Sequence, residues 1–133
     1  MAELILEPYS ANQRWRFKRT NTPREDSIAE YMEAIAQSCE EAGKCIVGHI
    51  KALALLPDGG FFQVSVVSSD LPAVRNGRVP PDCTDLTLSL NVIVYGLERK
   101  VLERIVWDAA DEMAKRHTGE VTVEAIEKAA SLE

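Results

Sequence analysis

His49 and Lys51 are the residues of this sequence best placed to hold an anion. They lie two positions apart within the apolar segment Cys45–Leu56. On a β-strand such a pair shares one face, with the side chains about 7 Å apart. An imidazole and an ammonium at that distance can bind a phosphate or a carboxylate. Because the sequence identifies no Asp or Glu that would make His49 a general base, the pair indicates binding more than catalysis.

A second cationic pair, Arg75 and Arg78, flanks Asn76-Gly77 in the middle of the proline-containing segment 70–84. The dipeptide favours a tight turn, so the segment predicts a projecting loop or a small hairpin. Two guanidiniums beside a turn present many donors in a small volume. They could grip an anion, although an ordinary soluble loop tip has the same composition.

A third set of cations alternates with aromatic residues: Arg14, Trp15, Arg16, Phe17 and Lys18 follow one another. In a strand, successive side chains point to opposite sides. We therefore expect the two aromatic residues in the core and the three cations on the outer face. We prefer this segment as the first strand.

The cysteines and glycines give no sign of a metal or cofactor site. Cys39, Cys45 and Cys83 are irregularly spaced and form no CxxC motif, which indicates reduced, mostly buried thiols. On a strand, Cys45 and His49 would lie about 13 Å apart, too far to bind one metal ion. No phosphate-binding glycine pattern is present. We expect neither a metal nor a cofactor.

Length and charge limit the class of protein. The chain has 133 residues, 46% of them hydrophobic, and a net charge of −6. This predicts one domain over residues 1–133 and argues against general nucleic-acid binding, which needs many contacts from Lys and Arg to phosphate. There is no signal-peptide pattern and no apolar run of the ~20 residues that a membrane span requires. We expect a cytoplasmic protein that does not bind membranes.

Apolar spacing predicts the helices. Thr22 and Pro23 favour a helix start, and apolar residues then recur at helical spacing up to Gly43. A second helix is predicted from Glu98 to His117. Thr122 favours a short helix through Ala130, within a C-terminal extension of residues 118–133.

The turn after the second strand decides which side chains share a face. If Leu56 lies opposite Phe61, the charged pair points into the core. A three-residue loop of residues 58–60, with Gly60 left-handed, puts Leu56 opposite Phe62 instead. We favour this register because it sorts polar from apolar side chains, and it groups His49, Lys51, Gln63 and Ser65.

These elements predict an α+β fold in the order β-α-β-β-β-α. We expect a four-stranded mixed sheet with two long helices on one face and a short C-terminal helix. Leu4–Leu6 competes for the role of first strand, and Asp85–Tyr95 alternates cleanly as the last. The bare face would be polar to basic, with Asp85 at one end as its only carboxylate. Its expected residues are Arg14, Arg16, Lys18, His49, Lys51, Gln63, Ser65, Thr87, Ser89 and Asn91.

Trp107 lies about 200° from Ile105 around the second long helix, at 3.6 residues per turn. This position predicts a place at the core boundary or in an interface. An exposed Trp would favour a contact with a partner or a second copy.

The element order resembles that of the ribosome hibernation factors, and the core resembles the double-stranded RNA-binding domain. The resemblance is one of topology, and it implies ribosome or RNA association. The chain departs from the basic helical surface of such proteins at Glu25, Asp26, Glu30 and Glu33.

Three functions follow from these observations. The first is a small binding or regulatory domain that self-associates through its sheet face, through Trp107 or through both. The second is a nucleic-acid or ribosome-associated protein that uses the basic residues. The third is an enzyme for a small anionic substrate, centred on His49 and Lys51.

Overall fold

The computed structural model describes residues 8–18, 24–117 and 121–126. One antiparallel six-stranded sheet, in the order β4-β3-β2-β5-β1-β6, carries two helices. The strands are β1 (Tyr9–Phe17), β2 (Ile46–Leu55), β3 (Phe61–Val66), β4 (Val74–Gly77), β5 (Asp85–Tyr95) and β6 (Val121–Ala125). The helices are α1 (Arg24–Ala42) and α2 (Arg99–Arg116).

The prediction of a four-stranded mixed sheet with three helices is wrong. β5 pairs with both β1 and β2, so these two strands run in the same direction without being neighbours. The segment expected to start a helix at Thr122 forms strand β6, because Val121 and Val123 pair with core residues of β1. Burial of Val121 and partial burial of Val123 outweigh a helix cap. The remainder of that expected helix, from residue 127, lies outside the described residues, as do Leu4–Leu6, Thr22 and Pro23.

Both helices pack on one face of the sheet, and the core lies between the helices and this face. The alternation predicted for β5 is confirmed, since five apolar side chains of this strand are buried against the helices: Leu86, Leu88, Leu90, Val92 and Val94. The expected core positions of Trp15 and Phe17 are also confirmed. The opposite face carries no described helix, and we call it the open face.

A polar side chain, Gln13, lies fully buried among these apolar residues. Its Oε1 accepts a hydrogen bond from Trp15 Nε1 at 2.9 Å, and its Nε2 donates to the Tyr31 hydroxyl at 2.8 Å. Burial raises the pKa of the Tyr31 hydroxyl, which stays protonated. Gln13 therefore links β1 to α1 at the centre of the core.

The turn between β2 and β3 differs from the predicted one. Leu56 N donates to Gly60 O at 2.9 Å, and Gly59 has φ +92°. The loop is thus residues 57–59, with Gly59 in the left-handed conformation instead of Gly60. The predicted pairing of Leu56 with Phe62 is wrong by two residues. A shift of two residues leaves every side chain on its predicted face, so His49, Lys51, Gln63 and Ser65 still share one face.

The segment 70–84 contains the edge strand β4, and the tight turn expected at Asn76-Gly77 is absent there. Gly77 ends β4 with φ +93°, and a Cβ at this position would lie 2.4 Å from the Phe61 carbonyl oxygen. Glycine is required because the backbone of β3 approaches so closely.

The acidic surface of α1 binds the chain that runs from β3 towards β5. Three carboxylates accept backbone N–H bonds, and a fourth forms an ion pair of 2.7 Å with Arg75. The pairs are Glu25 with Val79, Glu33 with Ala73, Glu40 with Ser69, and Asp26 with Arg75. These residues of α1 therefore have a structural role, holding β4 and its flanking loops against the helix.

Removing the Ser69 hydroxyl is expected to raise the pKa of Glu40. The Ser69 side chain and backbone N–H both donate to this carboxylate and lower its pKa from the usual 4.5. A carboxyl whose pKa is lowered by folding stabilises the fold above its unfolded pKa, and this contribution is lost as the pH falls through the lowered value. Carboxyl NMR titration should give a Glu40 pKa below 4.5, closer to it in Ser69→Ala. An identical Glu40 pKa in the parent and in Ser69→Ala would contradict this contact.

Candidate functional site

The open face divides into two halves of different character. The first half, on β2, β3 and β4, carries exposed apolar side chains among polar ones. The apolar residues are Ile46, Leu53, Leu55, Phe61 and Val74, and the polar residues are His49, Lys51, Gln63, Ser65 and Asn76. The second half, on β1, β6 and β5 up to Asn91, is polar. Its described residues are Ser10, Asn12, Arg14, Arg16, Asp85, Thr87, Ser89, Asn91, Thr122 and Glu124.

The apolar patch consists of Leu53, Leu55 and Phe61 and lies at the end of the first half that adjoins the turn between β2 and β3. Leu55 lies directly opposite Phe61 in the register, and the two side chains are 48% and 46% exposed. Leu53 is the next residue of β2 on the same face. Large side chains grouped in this way are typical of association surfaces. Sequence reasoning missed the patch, although Leu53 and Leu55 share the strand parity that placed His49 and Lys51 outward.

The polar half is an ordered hydrogen-bonded surface. Ser10 Oγ donates to Asn91 Oδ1 at 2.6 Å, and Ser89 Oγ donates to Asn12 Oδ1 at 3.0 Å. Both bonds join β1 to β5. Thr87, which was expected on this face, lies opposite Arg14.

The basic row expected along β1 is partly neutralised. Arg16 lies opposite Asp85 and forms an ion pair of 3.8 Å with Glu124, which itself lies opposite Arg14. The expectation that Asp85 is the only carboxylate is therefore wrong, because β6 brings Glu124 onto the face. An exposed pair of this kind contributes little stability, but it lowers the density of free positive charge.

His49 and Lys51 lie on the open face beside a bulge in β2. His49 pairs with Ile93, and Lys51 lies between Ser65 and Asn91. The bulge falls at Gly48, where a Cβ would approach the Ile93 carbonyl oxygen to 3.1 Å. Gln63, also expected here, pairs with Leu53 on the same face.

The other predicted cations do not come together. Arg75 lies opposite Val64, on the helix-covered side, and binds Asp26. Arg78 follows β4 and donates its backbone N–H to Phe61 O. This residue lines a cleft together with Glu25 of α1 and Phe61. Lys18 is exposed just beyond the end of β1.

Trp107 occupies the core boundary, as its helical angle predicted. It is half-buried, and its Nε1 donates to the Tyr9 hydroxyl at 3.1 Å. Both rings line a cleft of about 770 Å³ at the corner where β1, β5, β6 and α2 meet. On α2, Arg99 and Glu103 precede Trp107 at four-residue intervals and line the same cleft.

The three cysteines are free thiols. Burial raises the pKa of the Cys39 thiol to about 12, and Cys45 Sγ donates to the Cys39 carbonyl oxygen at 3.3 Å. Across residues 8–18, 24–117 and 121–126, no group of three His, Cys, Asp or Glu side chains could hold a metal ion. Over the same residues, neither helix is long and apolar enough to cross a membrane.

Comparison with known proteins gave no match to a family model, to a curated protein or to a solved structure.

Proposed function

We propose that this protein is a small binding domain that self-associates through its open face. The observation that carries the proposal is the apolar patch, Leu53, Leu55 and Phe61, on a sheet face that no described element covers. Antiparallel sheets commonly leave one face in water, but such faces are normally polar. Removal of the patch from water favours association by about 25 cal/mol for each Å² buried.

The size of the face fits the proposal. The sheet is about five interstrand spacings of 4.8 Å wide, and its strands are about ten residues of 3.3 Å long, so the area of the open face is at most roughly 800 Å². A stable interface of standard size buries about 800 Å² on each partner. The open face of one copy can therefore supply an interface, provided that most of it is covered.

The distribution of polar groups favours one orientation of the second copy. A two-fold axis that runs across the strands brings the apolar half of one copy onto the apolar half of the other. Arg14 and Leu55 both lie opposite Thr87, so this axis sets the two arginines and the patch alike against the opposite strand ends of the second copy. At that end of β2, Ile46 supplies exposed apolar surface. An axis along the strands would instead bury the patch against polar groups, at a cost in desolvation.

Light scattering coupled to size-exclusion chromatography tests the proposal. At tens of micromolar the protein should elute with twice the mass of the 14.7 kDa chain. Sedimentation equilibrium at several concentrations should give a dissociation constant at or below about 1 µM, a range that standard-size interfaces reach. A monomer throughout this range would overturn the proposal.

A further inference from the structure

Lys51 belongs to a row of polar residues that crosses the middle of the open face. It lies on β2 between Ser65 of β3 and Asn91 of β5. Asn91 in turn lies opposite Ser10 of β1. Residues that lie opposite one another in a sheet point to the same side, and Lys51, Asn91 and Ser10 are exposed. The row therefore joins four strands on a single face.

The proposed dimer places this row on its two-fold axis. An axis across the strands sets Leu55 of one copy against the Ile46 end of β2 in the other. The partners of Leu55 and Ile46 on β5 lie four residues to either side of Asn91, which pairs with Lys51. The axis therefore passes through the row and brings Lys51 towards Lys51 of the second copy. Facing sheets pack about 10 Å apart, a gap that side chains from both sides fill.

Two Lys51 ammoniums on the axis leave the interface with an unbalanced charge. The described strand residues of the open face carry three cations, Arg14, Arg16 and Lys51, against two carboxylates, Asp85 and Glu124. With histidine counted as neutral, each copy thus adds one positive charge to the interface. Both carboxylates lie beside Arg16, and Asp85 is six residues from the row along β5, about 20 Å. An ammonium that is removed from water without a partner opposes association.

The neighbours of Lys51 in the row can donate hydrogen bonds. Asn91 Oδ1 accepts from Ser10 Oγ at 2.6 Å, so the amide turns its oxygen towards β1 and its Nδ2 group away from that strand. The Ser65 hydroxyl lies on the other side of Lys51. Each copy therefore contributes an ammonium, an amide N–H and a hydroxyl, which are groups that bind oxyanions.

We infer that the dimer binds one small inorganic dianion, of the phosphate or sulfate kind, on its two-fold axis between the two Lys51 side chains. The inference rests on the proposed self-association and adds a ligand that links the two copies. A dianion balances the two surplus positive charges and gives each ammonium a partner. Asn91 Nδ2 and the Ser65 hydroxyl of each copy donate to its remaining oxygens. The sequence grouped Lys51 with His49, whereas in the dimer the second cation is Lys51 of the other copy.

Sedimentation equilibrium in phosphate and in chloride of equal ionic strength tests the inference. A ligand held only by the dimer strengthens association by one plus the ratio of its free concentration to its dissociation constant. In slightly alkaline buffer, where phosphate is a dianion, about 20 mM phosphate should lower the dissociation constant of the dimer about tenfold. Equal ionic strength gives equal screening, so a general salt effect cannot produce this difference.

Lys51→Met and Lys100→Met form a matched pair of variants. Each removes one positive charge from an exposed lysine, but Lys100 lies on α2, on the helix-covered side of the sheet. In chloride, Lys51→Met should dimerise about tenfold more tightly than the parent, because it buries no ammonium, and phosphate should add nothing. Lys100→Met should respond to phosphate as the parent does.

Two outcomes would overturn the inference and leave the dimer intact. One is a parent dimer whose dissociation constant is the same in phosphate and in chloride. The other is a Lys51→Met dimer that responds to phosphate as strongly as the parent. A parent chain that stays monomeric in both buffers would instead overturn the self-association, and the anion site with it.

Discussion

Leu55→Lys should convert the proposed dimer into a monomer, raising its dissociation constant at least ~100-fold. Leu55 lies at the centre of the apolar patch, directly opposite Phe61. In the associated state the new ammonium would be removed from water without a partner. Both copies carry the change, so the penalty counts twice. Sedimentation equilibrium of the variant and the parent measures the shift.

Leu71→Lys is the matched control. Leu71 is 54% exposed and Leu55 48%, but Leu71 lies in the loop between β3 and β4, outside the sheet face. Both variants lower the net negative charge equally, so general repulsion cannot explain a difference between them. Equal dissociation constants for the two variants would show that the open face is not the association surface.

Gln13→Ala is expected to lower the free energy of unfolding by about 4 kcal/mol. The change leaves a cavity in the core and removes the hydrogen-bond partner of Trp15 Nε1 and of the Tyr31 hydroxyl. A buried donor without a partner costs about 1–3 kcal/mol, and the cavity adds a comparable loss. Urea unfolding followed by tryptophan fluorescence gives the value.

Two further variants separate the cavity from the lost hydrogen bonds. Gln13→Leu fills most of the volume and should recover about half of the loss, because only the unpaired Trp15 Nε1 donor and the Tyr31 hydroxyl oxygen, which has lost its donor, remain. Gln63→Ala makes the same change on the open face and should cost less than about 1 kcal/mol. A loss for Gln13→Ala no larger than that for Gln63→Ala would mean that the buried hydrogen bonds contribute nothing.

Local patterns were sufficient for the elements whose own residues define them. The helical spacing of apolar residues before Gly43 predicted α1, and strict alternation predicted β5 and the inward side of β1. His49 and Lys51 share one face by parity, and they lie on the face predicted for them because the predicted turn was wrong by two residues, an even number. These properties are local, because a side chain's face depends only on the period of its own element.

The candidate site was only half predictable, because alternation within one strand is local but contacts between distant segments are not. The polar residues of the open face were identified by parity, but the patch of Leu53, Leu55 and Phe61 was not, since apolar residues are assigned to the core by default. Arg75 was assigned to an anion site because the sequence did not show its ion pair with Asp26, a residue 49 positions away. A contact over that separation leaves no mark in the spacing of either segment.

What the sequence by itself determined is the α+β class, the helix α1, the strand β5 and the alternation of β1. Tertiary structure alone decided the strand order, the additional strands β4 and β6, and the role of the acidic residues of α1. β6 illustrates the cause: five residues that could cap a helix become a strand because the edge of β1 offers hydrogen bonds and a place for Val121 and Val123. Short strands are stabilised by their partners, so their existence depends on distant parts of the chain.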